Sequence, residues 1–350
     1  MISFKPHALP LRTPYRWAKG EQHVRRGVIV RVEIEGAVGL GEIAPPIHEA
    51  VDEESLAASA AALVEGLDSA GPSFLRDLDR RNAHPRIRSG IATAWLSARA
   101  SLQGVSLGRF LNGCSRLPAT TVPVNGLVTE AEPAAAAGRV RSLLAEGYST
   151  LKIKCTADRV ADIRRLEAIR EVAPAARLRL DANESWPVEW SLEHLRTVAQ
   201  FDIEYVEQPL PHDQTIEAFV RLRARSPIPI ALDESACDLP TIQRILRAGA
   251  ADALVLKAPR LGGPDRTLLA IEAAAAHGIP CTVTCSIESA VGVVAALHCA
   301  SLHPTPIPAS GLGTSRFLER DVAPCPPVVG GVMIVPTGPG LGLSRRDTGL

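Results

Sequence analysis

The sequence carries no excess charge of either sign. Lys and Arg total 38, as do Asp and Glu, which argues against the basic face of a nucleic-acid binder or of a protein held to an anionic membrane. No apolar run reaches about 18 residues, and MISFKPHALPLRTPYRWAKG at the start has no continuous apolar segment of the signal-peptide kind. The expectation is a cytoplasmic protein with a small-molecule partner, neither nucleic acid nor membrane. The seven cysteines, Cys114, Cys155, Cys237, Cys281, Cys285, Cys299 and Cys325, show no CxxC spacing. Cys281 and Cys285 can share one strand face, where they read as buried thiols rather than zinc ligands.

What the sequence does have is a ladder of charged residues at the ends of short apolar runs. LKIK ends at Lys154, LRLD at Asp181, YVE at Glu207, IALD at Asp233 and LVLK at Lys257, at intervals of 24 to 27 residues. A helix-period segment fills each interval, the rhythm of parallel β/α repeats. Strands are expected at 121–127, 150–154, 177–181, 203–207, 228–233, 253–257, 281–285 and 306–311, nearly continuous apolar runs that suit a sheet covered on both faces. Helical stripes lie between them, such as Val160, Ile163, Leu166 and Ile169, and Asp238 before Leu239-Pro240 marks a helix start.

The first third of the chain lacks this alternation. GVIVRVEI at 27–34 alternates as a half-buried strand, GAVGLGE reads as a Gly-rich turn into a second, and helices are expected over 49–67 and 87–103. The second carries the stripe Ile87, Ile91, Trp95, Ala98 and Leu102. This is a separate α+β unit ending near Pro118. Before it, LRTPYRWAKG reads either as a surface loop or as a lid bringing cations to an anionic substrate. The Pro- and Gly-rich tail after 320, with a strand-like VVGGVMIVP, returns to the small unit in this reading. The domains are then 1–118 joined by 320–350, and a barrel over 119–319.

In a parallel barrel the functional groups sit on the C-terminal rim. Asp181, Glu207 and Asp233 at three successive strand ends would repel one another, so they call for a cation. Mg²⁺, which takes carboxylate oxygens at roughly 2.0–2.1 Å and keeps open positions, suits them, with Mn²⁺ the substitute. Lys152 and Lys154 are two apart on one strand and share a face. With Lys257 they flank the acids, an arrangement for proton transfer beside a metal. For Lys154 to act as a base its pKa must fall toward about 7–8, and Lys152 together with the metal would push it down.

LKIK, LDAN, YVEQP, ALDES, LKAPRLGG and TCSIESAVG together resemble the enolase superfamily, muconate-lactonising subgroup, over essentially the whole chain. The resemblance implies a modified TIM barrel, (β/α)₇β, under an N-terminal α+β capping domain. It implies that Asp181, Glu207 and Asp233 ligate Mg²⁺ with Asn183 and Glu234 beside them. It also implies that Lys154 is the general acid/base tuned by Lys152, and that Lys257 faces them as a fixed cation.

Within the subgroup, GLGT followed by FLERDV, with TCSIES, is most similar to the o-succinylbenzoate synthases. These dehydrate 2-succinyl-6-hydroxy-2,4-cyclohexadiene-1-carboxylate in menaquinone biosynthesis. Ser286, Glu288, Ser310 and Gly311 are the matching substrate-contact candidates. The acidic pair that would hold a substrate ammonium, as in dipeptide epimerases, is missing beside Ser310–Gly313. Glu184 and Arg260 depart from the usual pattern. N-succinylamino acid racemase and muconate-type cycloisomerase are the alternatives within the superfamily, and a homo-oligomer is the expected assembly. Outside it, a non-catalytic metal-binding barrel would leave the lysines without a role. A Schiff-base aldolase acting through Lys257 would leave the acids without one.

Overall fold

The computed structural model describes residues 1–17, 20–115, 117–156, 158–304 and 306–343. The N-terminal unit is built on a three-stranded antiparallel sheet, β1 (Ile2–Trp17), β2 (Gly20–Ile34) and β3 (Ala37–Ile43), in that order. The segment expected as a loop is therefore mostly strand. Pro6 and Pro10 pair in register with Val28 and Val24, which is tolerated because β1 is an edge strand. Of the segment weighed as a lid, Ala18 and Lys19 lie outside the described residues.

Four helices follow, α1 (Glu53–Val64), α2 (Phe74–Arg80), α3 (Pro85–Leu102) and α4 (Leu107–Leu111). α3 lies on β3 with backbone nearly touching backbone. A Cβ on Gly41 would stand 1.9 Å from the Gly90 carbonyl oxygen, and one on Gly39 2.1 Å from that of Ala94. The turn in GAVGLGE thus comes earlier, at Glu35 (φ 50) and Gly36 (φ 80), and Gly39 and Gly41 lie inside the strand to let α3 approach. Of the expected stripe, Ile91, Trp95 and Ala98 are buried and Leu102 is 40% exposed.

The barrel enters by way of β4 (Thr121–Pro123), a strand that pairs elsewhere, and then β5 (Gly126–Val128). Helix and strand then alternate: α5 (Pro133–Ala145), β6 (Thr150–Lys154), α6 (Arg159–Val172), β7 (Arg177–Asp181), α7 (Val188–Val198), β8 (Ile203–Glu207), α8 (Ile216–Arg225) and β9 (Ile230–Leu232). They continue with α9 (Leu239–Ala248), β10 (Ala253–Leu256), α10 (Ala258–Leu261), α11 (Pro264–Ala276), β11 (Cys281–Val283) and α12 (Ala290–Ala300). The seven strands β5 to β11 form one parallel sheet in sequence order. Among the described residues, closure is by Ser310 and Gly311, bridging to Val124 on one side and Thr284 on the other. This is a (β/α)₇β barrel, with the expected eighth strand shortened to its last two residues.

The expected first strand, 121–127, is divided. Its first half pairs with the tail, β12 (Val328–Val329) and β13 (Val332–Ile334), in the antiparallel order β12-β13-β4. The tail therefore joins the foot of the barrel before it reaches the N-terminal unit. There Gly340 bridges Ser106 and Leu341 enters that unit's core. The same core includes Val291, Val294 and Ala295 of α12, so the two units share apolar surface.

Sequence signals at helix ends hold locally. Asp238 caps α9, its carboxylate accepting the Thr241 N–H, and Gly249 ends that helix in the left-handed region at φ 63. On α6 Leu166 and Ile169 are buried, whereas Val160 of the expected stripe is 56% exposed, because it sits in the first turn just past the Asp158 cap. No helix among the described residues is long and apolar enough to cross a membrane.

Candidate active site

The five charged rungs occupy the ends of five adjacent strands. Lys154 ends β6, Asp181 ends β7 and Glu207 ends β8, while Asp233 and Lys257 lie one residue past β9 and β10. In sheet order the acids are flanked by lysines on both sides. Lys154 pairs in register with Asp181, and Asp181 with Glu207, so alternation turns these side chains inward together with Lys152. Below them Arg179 donates to the Ala309 carbonyl and to Glu204, each at 2.5 Å, and stands 4.8 Å over the Tyr205 ring.

Asp181, Glu207 and Asp233 are each 1% exposed. Lys152 Nζ lies 2.8 Å from Asp181 Oδ2 and 2.7 Å from Glu207 Oε1. Lys154 Nζ shares Asp181 Oδ2 at 2.7 Å and donates to Asn183 Oδ1 at 2.6 Å, and its side chain is 32% exposed. Lys257 Nζ pairs with Asp233 Oδ2, and Arg260 Nη1 reaches Asp233 Oδ1 at 2.7 Å. Among the described residues no three His, Cys, Asp or Glu side chains converge as a metal cage, because each acid is turned to a neighbouring cation.

The electrostatics divide the acids. Burial pushes Asp181 and Asp233 up, but the lysines on Asp181, and Arg260 and Lys257 on Asp233, outweigh it and hold both below the usual carboxylate range. Glu207 goes the other way, raised by burial and then by Asp181, which Lys152 offsets only in part. Glu234 is pushed to about 8 by burial and by Asp233. Its Oε2 is buried without a hydrogen-bond partner, and its Oε1 meets Asn183 Nδ2 only at 3.5 Å. Lys154 is raised: burial lowers it, but Asp181 more than reverses this. With Asp181 facing it, Lys154 is thus favoured in its protonated form.

Backbone strain gathers on the same rim. Asn183 (φ 41), Glu184 (φ 64), Gln208 (φ 40) and Ile287 (φ 63) all adopt left-handed conformations, costly for non-glycine residues and most of all for a β-branched one. Their side chains are tied down. Gln208 Oε1 accepts the N–H groups of Asp233 and Ser235, and its Nε2 donates to Leu210 O and Ser235 Oγ. Glu184 Oε1 accepts the His212 N–H at 2.5 Å and meets His212 Nδ1 at 2.5 Å, joining the loops after β7 and β8. Arg165, buried on α6, donates to Lys154 O at 2.6 Å and Glu130 O at 3.0 Å, so it fixes the strand end that carries Lys154. Nothing in the spacing of the sequence marks Arg165. Gln208 stands in the YVEQP segment, where the acid alone drew a role.

Of the substrate-contact candidates, Ser310 and Glu288 are buried and Ser286 and Gly311 half-buried. Ser310 and Gly311 donate their N–H groups to Pro123 O and Val283 O, so barrel closure occupies the backbone donors expected to meet a carboxylate. Ser310 is 2% exposed. Glu288, also 2% exposed, accepts the Ser286 N–H and lies in the field of Arg25 and Glu42 from the N-terminal unit. Glu42 itself accepts the N–H and hydroxyl of Ser289, at the start of α12. Arg86 of α3 donates to Ala44 O and feels both Glu288 and Arg260, so the N-terminal unit brings a cation toward the rim. The sequence reading missed it.

A closed parallel barrel with acids and lysines at its mouth, under an antiparallel capping unit, defines the barrel class to which enolase-like proteins belong. The chain belongs to the enolase C-terminal domain-like family, whose pattern matches residues 135–348. It is 36% identical over 211 residues to an o-succinylbenzoate synthase of Thermobifida fusca, across 59% of this chain and 63% of that protein, less than two thirds of its length. Its fold matches the L-Ala-D/L-Glu epimerase of Bacillus subtilis with a TM-score of 0.88 at 27% identity, covering 98% of each chain. A dipeptide epimerase of Cytophaga hutchinsonii, solved with Mg and a dipeptide, matches with a TM-score of 0.87 at 25% identity, over 98% of this chain and 95% of that one.

Proposed function

We propose that the chain is a lyase, an o-succinylbenzoate synthase that removes water from 2-succinyl-6-hydroxy-2,4-cyclohexadiene-1-carboxylate. The observation that carries the reading is the row of three buried carboxylates at adjacent strand ends with a lysine on either side. The 36% identity to the Thermobifida fusca synthase and the missing acid pair beside Ser310 narrow the substrate. The catalytic barrel lies within 119–319 and the capping domain is 1–118, which the tail rejoins at Gly340 and Leu341 after pairing with β4.

The donor set fits a hard divalent cation in kind. All its groups are carboxylate oxygens, and the raised Glu207 and the unpartnered Glu234 Oε2 show acids that the surrounding cations leave unsatisfied. Asp181, Glu207 and Asp233 would hold Mg²⁺, or Mn²⁺, which supplies stabilisation of charge on the enediolate oxygens and draws off the Asp181 charge that now favours protonated Lys154. Asn183 and Glu234 orient that set.

The chain's own groups carry the proton. Lys154 Nζ takes the proton on the carbon next to the carboxylate, and the electron pair of that C–H bond moves into the carboxylate as an enediolate. The pair then returns to form the ring double bond as the C–O bond to the hydroxyl breaks. Lys154 gives its proton to the departing oxygen, which leaves as water. Lys152, fixed between Asp181 and Glu207, disfavours a second lasting positive charge on Lys154, and Lys257 remains a fixed cation on the far side. Glu288, Ser286, Ser310 and Gly311 shape the pocket for the succinyl chain. The lysines on opposite sides of the acids also suit two-base racemisation of N-succinylamino acids, the second reading.

Turnover of the cyclohexadiene carboxylate by the purified protein tests the proposal. Rapid dehydration with Mg²⁺, lost with chelator and with Lys154→Ala, is expected. Decay no faster than in buffer, with the fold intact and Mg²⁺ present, would refute it, and proton exchange of N-succinylamino acids in D₂O would then decide the second reading.

A further inference from the structure

A second cavity lies beside the rim, outside the row of acids and lysines. Its volume is about 330 Å³, and its lining includes Arg159, Trp186, Pro187, Trp190 and His194. None of the candidate catalytic or metal-binding residues lines it. It borders the same loops, since Thr156 and Ser185 in its wall each lie two residues past Lys154 and Asn183.

The walls are aromatic, and one is unusually exposed. Trp186 is 5% exposed and meets the His194 ring edge-on, with centroids 4.2 Å apart at 78°. Trp190, one turn along on α7, is 65% exposed although it lines a concave surface. An indole left in water beside a cavity that can hold a ring is apolar area awaiting a partner.

The polar end points to the ligand's charge. Among the described residues Arg159 pairs with Glu193 alone, at 2.8 Å, with the two side chains 43% and 65% exposed, so a ligand's carboxylate can take that place at little cost. Pro187, the N-cap residue of α7, supplies no side-chain cap, leaving the positive end of the helix dipole toward the cavity wall. His194 is 5% exposed and its Nε2 is buried without a hydrogen-bond partner. Burial and then Arg159 push its pKa down to about 4, so it is a neutral imidazole with capacity for one more hydrogen bond.

We propose that this cavity binds a planar aromatic carboxylate, its ring against Trp190 and Trp186 and its carboxylate on Arg159, the first residue of α6, beside the start of α7. The site is separate from the central one, and its occupant holds together the loops that follow Lys154 and Asn183.

Equilibrium dialysis of the purified chain against 1-naphthoate, with the neutral 1-naphthylmethanol as comparison, tests this. Saturable uptake of one naphthoate per chain is expected. Trp190→Ala should weaken it tenfold or more, and Arg159→Gln should weaken naphthoate several-fold while leaving the alcohol unchanged. Both side chains are well exposed, so far-UV circular dichroism should be unchanged. No saturable uptake by the unaltered chain overturns the site. Unchanged affinity in Trp190→Ala places the ligand elsewhere, the barrel mouth included, and overturns it too. Unchanged naphthoate affinity in Arg159→Gln overturns the anionic class.

Discussion

Replacing Lys152 with methionine keeps the length of the side chain and removes the charge that Asp181 and Glu207 share. Lys152 is 9% exposed, and its Nζ lies 2.8 and 2.7 Å from the two acids. Without it Asp181 keeps Lys154, but Glu207 loses its one ion pair among the described residues. Leaving a buried charge unpaired costs about 3–5 kcal/mol, which corresponds to a fall of about 1–2 M in the urea midpoint. The sign of the pH dependence follows from Glu207, whose folded-state pKa is already raised by burial and by Asp181. A raised carboxyl favours the folded state at low pH and loses that contribution as pH rises through its folded value. The loss in Lys152→Met should therefore be larger at about pH 8 than at about pH 5. Urea unfolding in chelator at both pH values measures it, and added Mg²⁺ should recover part of it by restoring a positive charge among the acids. A variant as stable as the parent at about pH 8 in chelator would refute the account of Lys152 as the cation that keeps two buried acids compatible.

Three further perturbations test other parts of the structure. Gly41→Ala puts a methyl group 1.9 Å from the Gly90 carbonyl oxygen, against backbone that cannot turn aside, so a loss above about 3 kcal/mol is expected and a near-normal denaturation midpoint would contradict it. His298, fully buried with Nε2 on Leu341 O, is pushed by burial from 6.5 to about 4. The unfolded chain takes this proton first, so the stability is present above pH 6.5 and about 3 kcal/mol of it is lost as pH falls through 4. His298→Asn should flatten that stretch of the stability profile. Glu184→Ala releases the His212 loop and should lower turnover about tenfold to a hundredfold, the worth of roughly one charged hydrogen bond. Glu184→Gln should recover most of it, since its amide oxygen still accepts the His212 N–H.

The ladder was legible because its spacing and its chemistry agree. Lys154, Asp181 and Glu207 end their strands as read, and Asp233 and Lys257 miss by one residue. The failures have physical causes. LRTPYRWAKG looked like a loop or a lid because it is basic, aromatic and turn-rich, and only the pairing with β2 shows that its first seven residues end an edge strand. The run 121–127 looked like one strand because local pattern cannot show that its halves pair with different partners. Gly39 and Gly41 looked like turn residues because nothing local announces that a helix will lie against them. The N–H groups of Ser310 and Gly311 could not be known to be engaged before the barrel closed. Arg165 ties Lys154 O to Glu130 O, 35 residues away from itself, and Arg86 acts toward Glu288 from the other unit, and no motif records such contacts.

The apolar core shared between the N-terminal unit and α12 has a consequence for biosynthesis. Val291, Val294, Ala295 and Leu341 belong to the core that β2, β3 and α3 begin. A ribosome delivers the N-terminal unit first, yet its hydrophobic face stays open until nearly the whole chain has emerged. The part of that core which α12 and Leu341 cover therefore stays open throughout the synthesis of the barrel, and a core begun before the barrel is completed after it.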